Sequence, residues 1–122
     1  MDKEFIMYVK TKKLALDTIR FCGKMGKDNV SRVISNQLLR CGTSVGANYR
    51  AASKARSKAD FIAKMGIVEE ESDETCYWLE LIEESGLLNK ELTSQLRDDA
   101  DHVLAMAVKS IITARNNLKN RN

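Results

Sequence analysis

The sequence contains no proline, and its longest uninterrupted apolar run, residues 103–108, has only six residues. A membrane-spanning helix needs about 20 apolar residues, and the first residues lack the basic-then-apolar order of a secretory signal. Apolar residues make up 43% of the 122-residue chain and charged residues 30%. This composition is typical of globular proteins rather than disordered or membrane ones. It predicts a cytoplasmic protein with no membrane partner.

Cysteine and histidine are scarce. The three cysteines, Cys22, Cys41 and Cys76, are widely separated, which predicts free buried thiols rather than disulfides or a zinc site. His102 is the one histidine, whereas a di-metal bundle needs two Glu-x-x-His motifs. It is also the only conventional general base that could activate Ser44 or a cysteine as a nucleophile. We predict no catalytic residue, no metal and no cofactor. A metal-dependent enzyme built on the acidic run at 69–74 remains an alternative.

Without proline, and without alternating apolar and polar residues, the sequence predicts an all-α fold. Glycine-rich breaks follow residue 22 and residue 85, where helices are expected to stop. We predict a single domain covering residues 1–122. It is expected to be an antiparallel up-down four-helix bundle, with helices at about 3–22, 30–54, 57–85 and 89–118.

Four apolar residues of the first helix follow a helical period and lie near one face. They are Ile6, Val9, Leu16 and Ile19.

Two glycines, Gly42 and Gly46, lie four residues apart inside the second helix. Each glycine inside a helix costs about 1 kcal/mol relative to alanine, so the pair indicates close packing against a neighbour. We predict that the chain self-associates through this small-residue face and the surface beside it. The predicted packing and subunit-contact residues are Gly42, Ser44, Gly46, Asn48, Tyr49 and Trp78.

The charges are unevenly distributed along the chain. Residues 1–64 hold 14 basic and 5 acidic side chains, whereas residues 65–122 hold 6 basic and 12 acidic ones. Between residues 50 and 64 the only acid is Asp60. Clustered flexible cations are suited to phosphate contacts, which need no sequence readout. The predicted nucleic-acid contacts are Arg40, Arg50, Lys54, Arg56, Lys58 and Lys64, with Lys12 and Lys13 as further contributors.

The acidic run of the third helix has a different interpretation. Glu71 and Glu74 share a stripe with Trp78, so they are expected to be partly buried and to need a polar partner. We predict structural pairing with Asn48, Tyr49 or an arginine of the second helix. The basic first half of the chain and its acidic second half could also interact only with each other, within one subunit or between subunits. The chain would then be a protein-interaction adaptor without nucleic-acid binding.

Three segments together resemble a known family: QLLRCGTSVGANYRAA at 37–52, SKADFI at 57–62 and EEESDETCYWLEL at 69–81. They are similar to the bacterial four-helix-bundle proteins encoded in intervening sequences of the 23S rRNA gene. That family is similar in fold to the accessory variability determinant of diversity-generating retroelements, a pentameric barrel with a basic surface that works with nucleic acid and a reverse transcriptase. The resemblance implies a ring-like homo-oligomer, a pentamer, without enzymatic activity. It also implies a nucleic-acid-processing protein as a partner.

These observations predict a non-catalytic oligomeric scaffold whose basic face binds RNA or DNA. The alternative is the adaptor that binds only protein.

Overall fold

The computed structural model describes residues 2–120, and that range contains four α-helices and no β-strand. Helix α1 is Lys3–Cys22, α2 is Asn29–Ser53, α3 is Lys58–Ser85 and α4 is Lys90–Lys119. The prediction of an all-α fold with four helices is therefore confirmed.

Local side chains determine where the helices begin and end. Each helix starts after a residue whose side chain accepts a hydrogen bond from the first turn: Asp2, Asp28, Ser57 and Asn89. Such N-caps satisfy amide groups that have no partner inside the helix. Helix α3 ends at Gly86, whose φ of 75° lies in the left-handed region that favours glycine.

Each helix packs against its neighbour in sequence, and α1 also packs against α4 through the least extensive of these contacts. The centre of the molecule is filled by side chains from all four helices. Its most deeply buried large residues include Leu14, Leu38, Val45, Met65, Leu79, Ile82 and Val103.

The glycine pair of α2 packs against α1 of the same chain. A Cβ added to Gly42 would lie 2.7 Å from Thr18 Cγ2 and 2.8 Å from Thr18 Oγ1. At Gly46 an added Cβ would lie 3.4 Å from the backbone oxygen of Thr11. The room left by the two glycines is therefore filled within the chain, and the pair no longer indicates a contact between subunits.

This close contact decides which face of α1 points inward, and it is not the face with Val9, Leu16 and Ile19. The buried face contains Thr11 and Thr18, while Val9, Leu16 and Ile19 are 46%, 42% and 51% exposed. Compact threonines fit against the glycines of α2, and three larger apolar residues of α1 share that buried face. The buried residues of α1 are Met7, Thr11, Leu14, Thr18 and Phe21.

We expect Gly42→Ala to destabilise the protein. Overpacking a full core costs about 1–3 kcal/mol, which exceeds the gain of about 1 kcal/mol in helix propensity. Thr18→Ala should restore part of the lost stability in the double variant, because it removes the two closest atoms. Urea unfolding followed by circular dichroism measures both effects.

Gly66→Ala is the matched control, because an added Cβ there has nothing within 4 Å. It should raise the stability by up to about 1 kcal/mol. Equal effects of the two alanine substitutions would contradict the packing argument.

Candidate nucleic-acid interface

Two adjoining clefts lie where α1 and α3 begin, α2 ends and the last turns of α4 pass. One cleft has a volume of about 440 Å³ and follows the α2–α3 connection. The other, of about 430 Å³, lies between α1, α3 and α4. We call the two together the end groove, because they share lining residues. The shared residues are Lys3, Met7, Lys58, Phe61 and Ser110.

The end groove is basic. Lys3, Lys58 and Lys109 line the cleft beside α4, and Arg56 lines the cleft beside the α2–α3 connection. Among the residues that the structure describes, one acid, Glu4, lines the groove. Within residues 2–120, none of these four cations forms an ion pair. Their charges are therefore available to an anionic partner.

Two further residues predicted to contact nucleic acid, Lys54 and Arg50, lie near this end of α2. Lys54 is the exposed C-cap residue of α2. Arg50 donates a hydrogen bond to the Tyr8 hydroxyl at 2.6 Å, and its guanidinium lies 4.9 Å from the centre of the Tyr8 ring. The cation–π contact does not neutralise Arg50, but it holds the guanidinium against Tyr8 of α1.

Arg40 is not part of this basic surface. Its guanidinium bonds Glu71 Oε2 at 3.3 Å and also Glu74 Oε2. Glu74 Oε2 accepts a second hydrogen bond, from Trp78 Nε1 at 3.0 Å. Arg40 is therefore the polar partner of the acidic stripe of α3. Asn48, which we predicted as such a partner, instead donates to the Ser44 carbonyl of its own helix at 2.9 Å.

Lys64 and Lys13 also have acidic partners. Lys64 Nζ lies 2.7 Å from Asp60 Oδ2, and this contact lowers the pKa of the Asp60 carboxyl. Lys13 Nζ lies 2.6 Å from Asp17 and 3.2 Å from Asp99. Lys12 is exposed on α1. The available positive charge is therefore more concentrated at the end groove than the sequence alone indicates.

The remaining residues predicted at a subunit contact make bonds within the chain. Tyr49 is buried and its hydroxyl donates to the Glu4 carbonyl at 3.1 Å, which joins α2 to the start of α1. Ser44 Oγ donates to the Cys41 carbonyl at 2.9 Å. Trp78 is partly buried and packs against the core. These contacts explain the residues without a second subunit.

Cys41 and Cys76 are buried and Cys22 is partly buried, and burial raises the pKa of all three thiols. His102 is exposed on α4. Among residues 2–120, no group of three or more histidine, cysteine or acidic side chains is placed to hold a metal ion. No helix in the same range has the length and apolar character needed to cross a membrane.

Sequence reasoning missed Lys3 and Lys109. They belong to the first turn of α1 and a late turn of α4, so nothing in their local sequence links them to the basic stretch of α2 and α3. Only the folded chain brings them to the same groove as Lys58.

The model of the family described as 23S rRNA-intervening sequence protein matches residues 3–109. The chain is also similar to a solved structure from Bacteroides thetaiotaomicron VPI-5482, described as a protein with unknown function from the S23 ribosomal protein family. The two share 32% identity with a TM-score of 0.84, over 90% of this chain and 98% of that one. No curated protein sequence matches the chain. The family resemblance predicted from the sequence is confirmed.

Tyr49 gives a prediction for stability at high pH. Burial, with the nearby charges of Glu4 and Asp2, raises the pKa of Tyr49 to about 12, whereas a tyrosine in an unfolded chain has a pKa of about 10. Between these values the unfolded state loses the proton first, so stability present below pH 10 falls as the pH rises toward 12. The loss should be on the order of 2 kcal/mol.

Urea unfolding at a series of pH values, with Tyr49→Phe as the control, isolates this contribution from the other tyrosines and lysines. The variant should be less stable than the wild type at neutral pH by about 1 kcal/mol, because it lacks the bond to Glu4. The difference should shrink above pH 10 and change sign toward pH 12, because the expected loss of about 2 kcal/mol exceeds the initial difference of about 1 kcal/mol. A constant difference across the range would contradict the assignment.

Proposed function

The chain belongs to the family of 23S rRNA-intervening sequence proteins, and we propose that it is a non-catalytic scaffold that binds RNA or DNA through the end groove. The observation that carries this proposal is the convergence of Lys3, Arg56, Lys58 and Lys109 on one groove without acidic partners among the described residues. Like charges brought together from three separate parts of the chain repel one another, so an anionic partner would stabilise the arrangement.

Phosphates fit this surface better than an acidic protein would. The cations are long, flexible side chains on exposed positions, which suits contacts to a repeating backbone of phosphates. Lys54 and Arg50 extend the positive surface from the groove along α2. Such contacts give affinity without requiring recognition of a base sequence.

We also propose the antiparallel up-down topology for the four helices. The connections between them span only residues 23–28, 54–57 and 86–89, and short connections favour antiparallel neighbours. The end groove supports this arrangement, because its lining comes from the starts of α1 and α3 and from the end regions of α2 and α4.

A ring-like homo-oligomer, a pentamer, completes the proposal. Its support is the resemblance to the pentameric accessory proteins, together with an exposed apolar stripe on α1. We call this the α1 stripe: Phe5, Val9, Leu16 and Ile19. Residues at this spacing lie on one face of a helix, with the exposed Lys12 between Val9 and Leu16. Exposed apolar patches commonly mark protein contacts. We assign the subunit contact to the α1 stripe rather than to the glycine face of α2.

The α1 stripe also favours a second candidate function, a protein-interaction adaptor. In that case the stripe would hold a different protein, such as one that processes nucleic acid, and the end groove would carry no ligand. The two candidates differ in their response to salt, because phosphate binding weakens steeply as salt rises and apolar contacts do not.

We expect the triple variant Lys54→Glu, Arg56→Glu and Lys58→Glu to bind RNA and DNA at least about tenfold more weakly than the wild type. Each lost phosphate contact should lower the slope of log affinity against log salt by about 1, and thus by about 3 in total. Fluorescence anisotropy with a labelled oligonucleotide at several salt concentrations measures both quantities.

The matched control reverses the charge of three exposed lysines at the other end of the proposed bundle: Lys24→Glu, Lys27→Glu and Lys90→Glu. It makes the same change in net charge, so it separates a located site from a general charge effect. Equal losses in the two variants would contradict the assignment to the end groove. Absence of binding by the wild type at low salt would favour the adaptor.

For the oligomer, we expect Leu16→Glu with Ile19→Glu to lower the mass measured by light scattering, because two charges would be buried in the subunit contact. Both positions face outward, so the helical circular dichroism spectrum should be unchanged. Ile67→Glu on α3, where the side chain is 43% exposed, is the control and should leave the mass unaltered. An unchanged mass for the double variant would contradict the α1 contact.

A further inference from the structure

An apolar recess lies between the cations of the end groove. Met7, Phe61 and Met106 line it from three helices. Its volume of about 430 Å³ lies within the range of small-molecule sites, about 300–1,000 Å³. Contacts to a phosphate backbone need no such recess, so the recess calls for a ligand with an apolar part of its own.

The charges at the recess require that the same ligand also be anionic. Lys3, Lys58 and Lys109 line it together with the apolar side chains, and no acidic side chain among residues 2–120 does. The ammonium groups can remain hydrated at the edge while their carbon stems border the apolar surface. The complementary ligand therefore has an apolar body with negative charge directly attached to it.

The wall formed by α4 distinguishes between ligands of this kind. Ser110, Thr113 and Asn117 are spaced by three and four residues, so they lie on one face of α4, and all three line the recess. Their hydroxyl and amide groups can donate to and accept from the edge of a nucleobase. An acyl chain would bring no partner for these groups and would remove their water. The wall therefore favours a base over a lipid tail.

We propose that the recess takes the base of one unpaired nucleotide while Lys3, Lys58 and Lys109 hold the phosphates beside it. This inference rests on the proposed function and narrows it, because it makes single-stranded nucleic acid the preferred partner. A duplex presents its phosphates to the same cations but keeps its bases paired and stacked, and extruding one costs a few kcal/mol. Contact between a base and an aromatic ring contributes about 1–3 kcal/mol.

The test compares an unstructured single strand with a fully paired hairpin, closed by a linker without bases and having the same number of phosphates, by fluorescence anisotropy at fixed salt. The wild type should bind the single strand about tenfold more tightly, since about 1.4 kcal/mol corresponds to tenfold and lies within the stacking range. Ala114→Leu should abolish this preference, because Ala114 lines the recess and the larger side chain fills it without changing the charge. Binding of the hairpin should fall by less than binding of the single strand, because the hairpin depends on the cations at the edge of the recess.

Ala105→Leu is the matched control, because Ala105 is exposed on the same helix and does not line the recess. It should retain the full preference. Melting curves of both variants establish that each is folded.

The outcomes separate this inference from the proposed function. Equal, salt-sensitive binding of the single strand and the hairpin would overturn the assignment of a base to the recess. The proposed function as a nucleic-acid scaffold would still hold. A preference for the single strand that survives Ala114→Leu would also overturn the assignment. Binding of neither probe would overturn both proposals.

A second measurement locates the base directly. In a protein labelled with ¹³C at the methionine methyl groups, the single strand should shift the resonances of Met7 and Met106, which line the recess. Met25 lies in the α1–α2 connection and should not shift. Shifts confined to Met25, or none at all while anisotropy reports binding, would place the base elsewhere.

Discussion

The contact between Gly42 and Thr18 sets the orientation of α1, and the surface of the molecule depends on that orientation. Because a Cβ at residue 42 would lie 2.7 Å from Thr18 Cγ2, α1 can approach α2 closely only with its compact threonines facing inward. The apolar residues on the opposite face of α1 then point outward, where they form the α1 stripe. The same rotation brings Met7 inward and lets Lys3 reach the end groove. An internal packing constraint thus determines both proposed interaction surfaces.

A second constraint decides which cations are available to a partner: whether a carboxylate of the same chain lies close to them. Arg40 forms an ion pair with Glu71 in the acidic stripe of α3, and Lys64 forms one with Asp60. Near the end groove the carboxylates are few, so Lys3, Arg56, Lys58 and Lys109 stay available to an external anion. Exposed ion pairs contribute little stability, about 0–1 kcal/mol each. The arrangement matters more for where binding can occur than for how firmly the chain folds.

The sequence predicted the helices well because their limits are local. The glycine after residue 85 was predicted to stop α3, and at the start of α3 the Ser57 hydroxyl accepts a hydrogen bond from the Asp60 amide of the first turn. The face of α1 could not be predicted in the same way. Its apolar stripe and its mixed threonine-containing stripe both have helical spacing, and the residue that decides between them lies on α2. The family resemblance did not help, because its segments do not include α1.

The end groove was predictable only in part, for a similar reason. The predicted nucleic-acid contacts included Arg56 and Lys58 but also Arg40, whose carboxylate partners lie on another helix. Lys3 and Lys109 come from distant parts of the chain and carry no local sign of a shared role. The apolar recess between them forms where α1, α3 and α4 pack together. No local sequence motif could therefore predict it.

Amide hydrogen exchange with and without a saturating single-stranded oligonucleotide measures directly whether nucleic acid binds at the end groove. Exchange should be slower in the peptides covering residues 52–61 and 106–117 and unchanged in those covering 23–36 and 86–92. Protection confined to the latter peptides, or spread evenly over all helices, would contradict binding at the end groove.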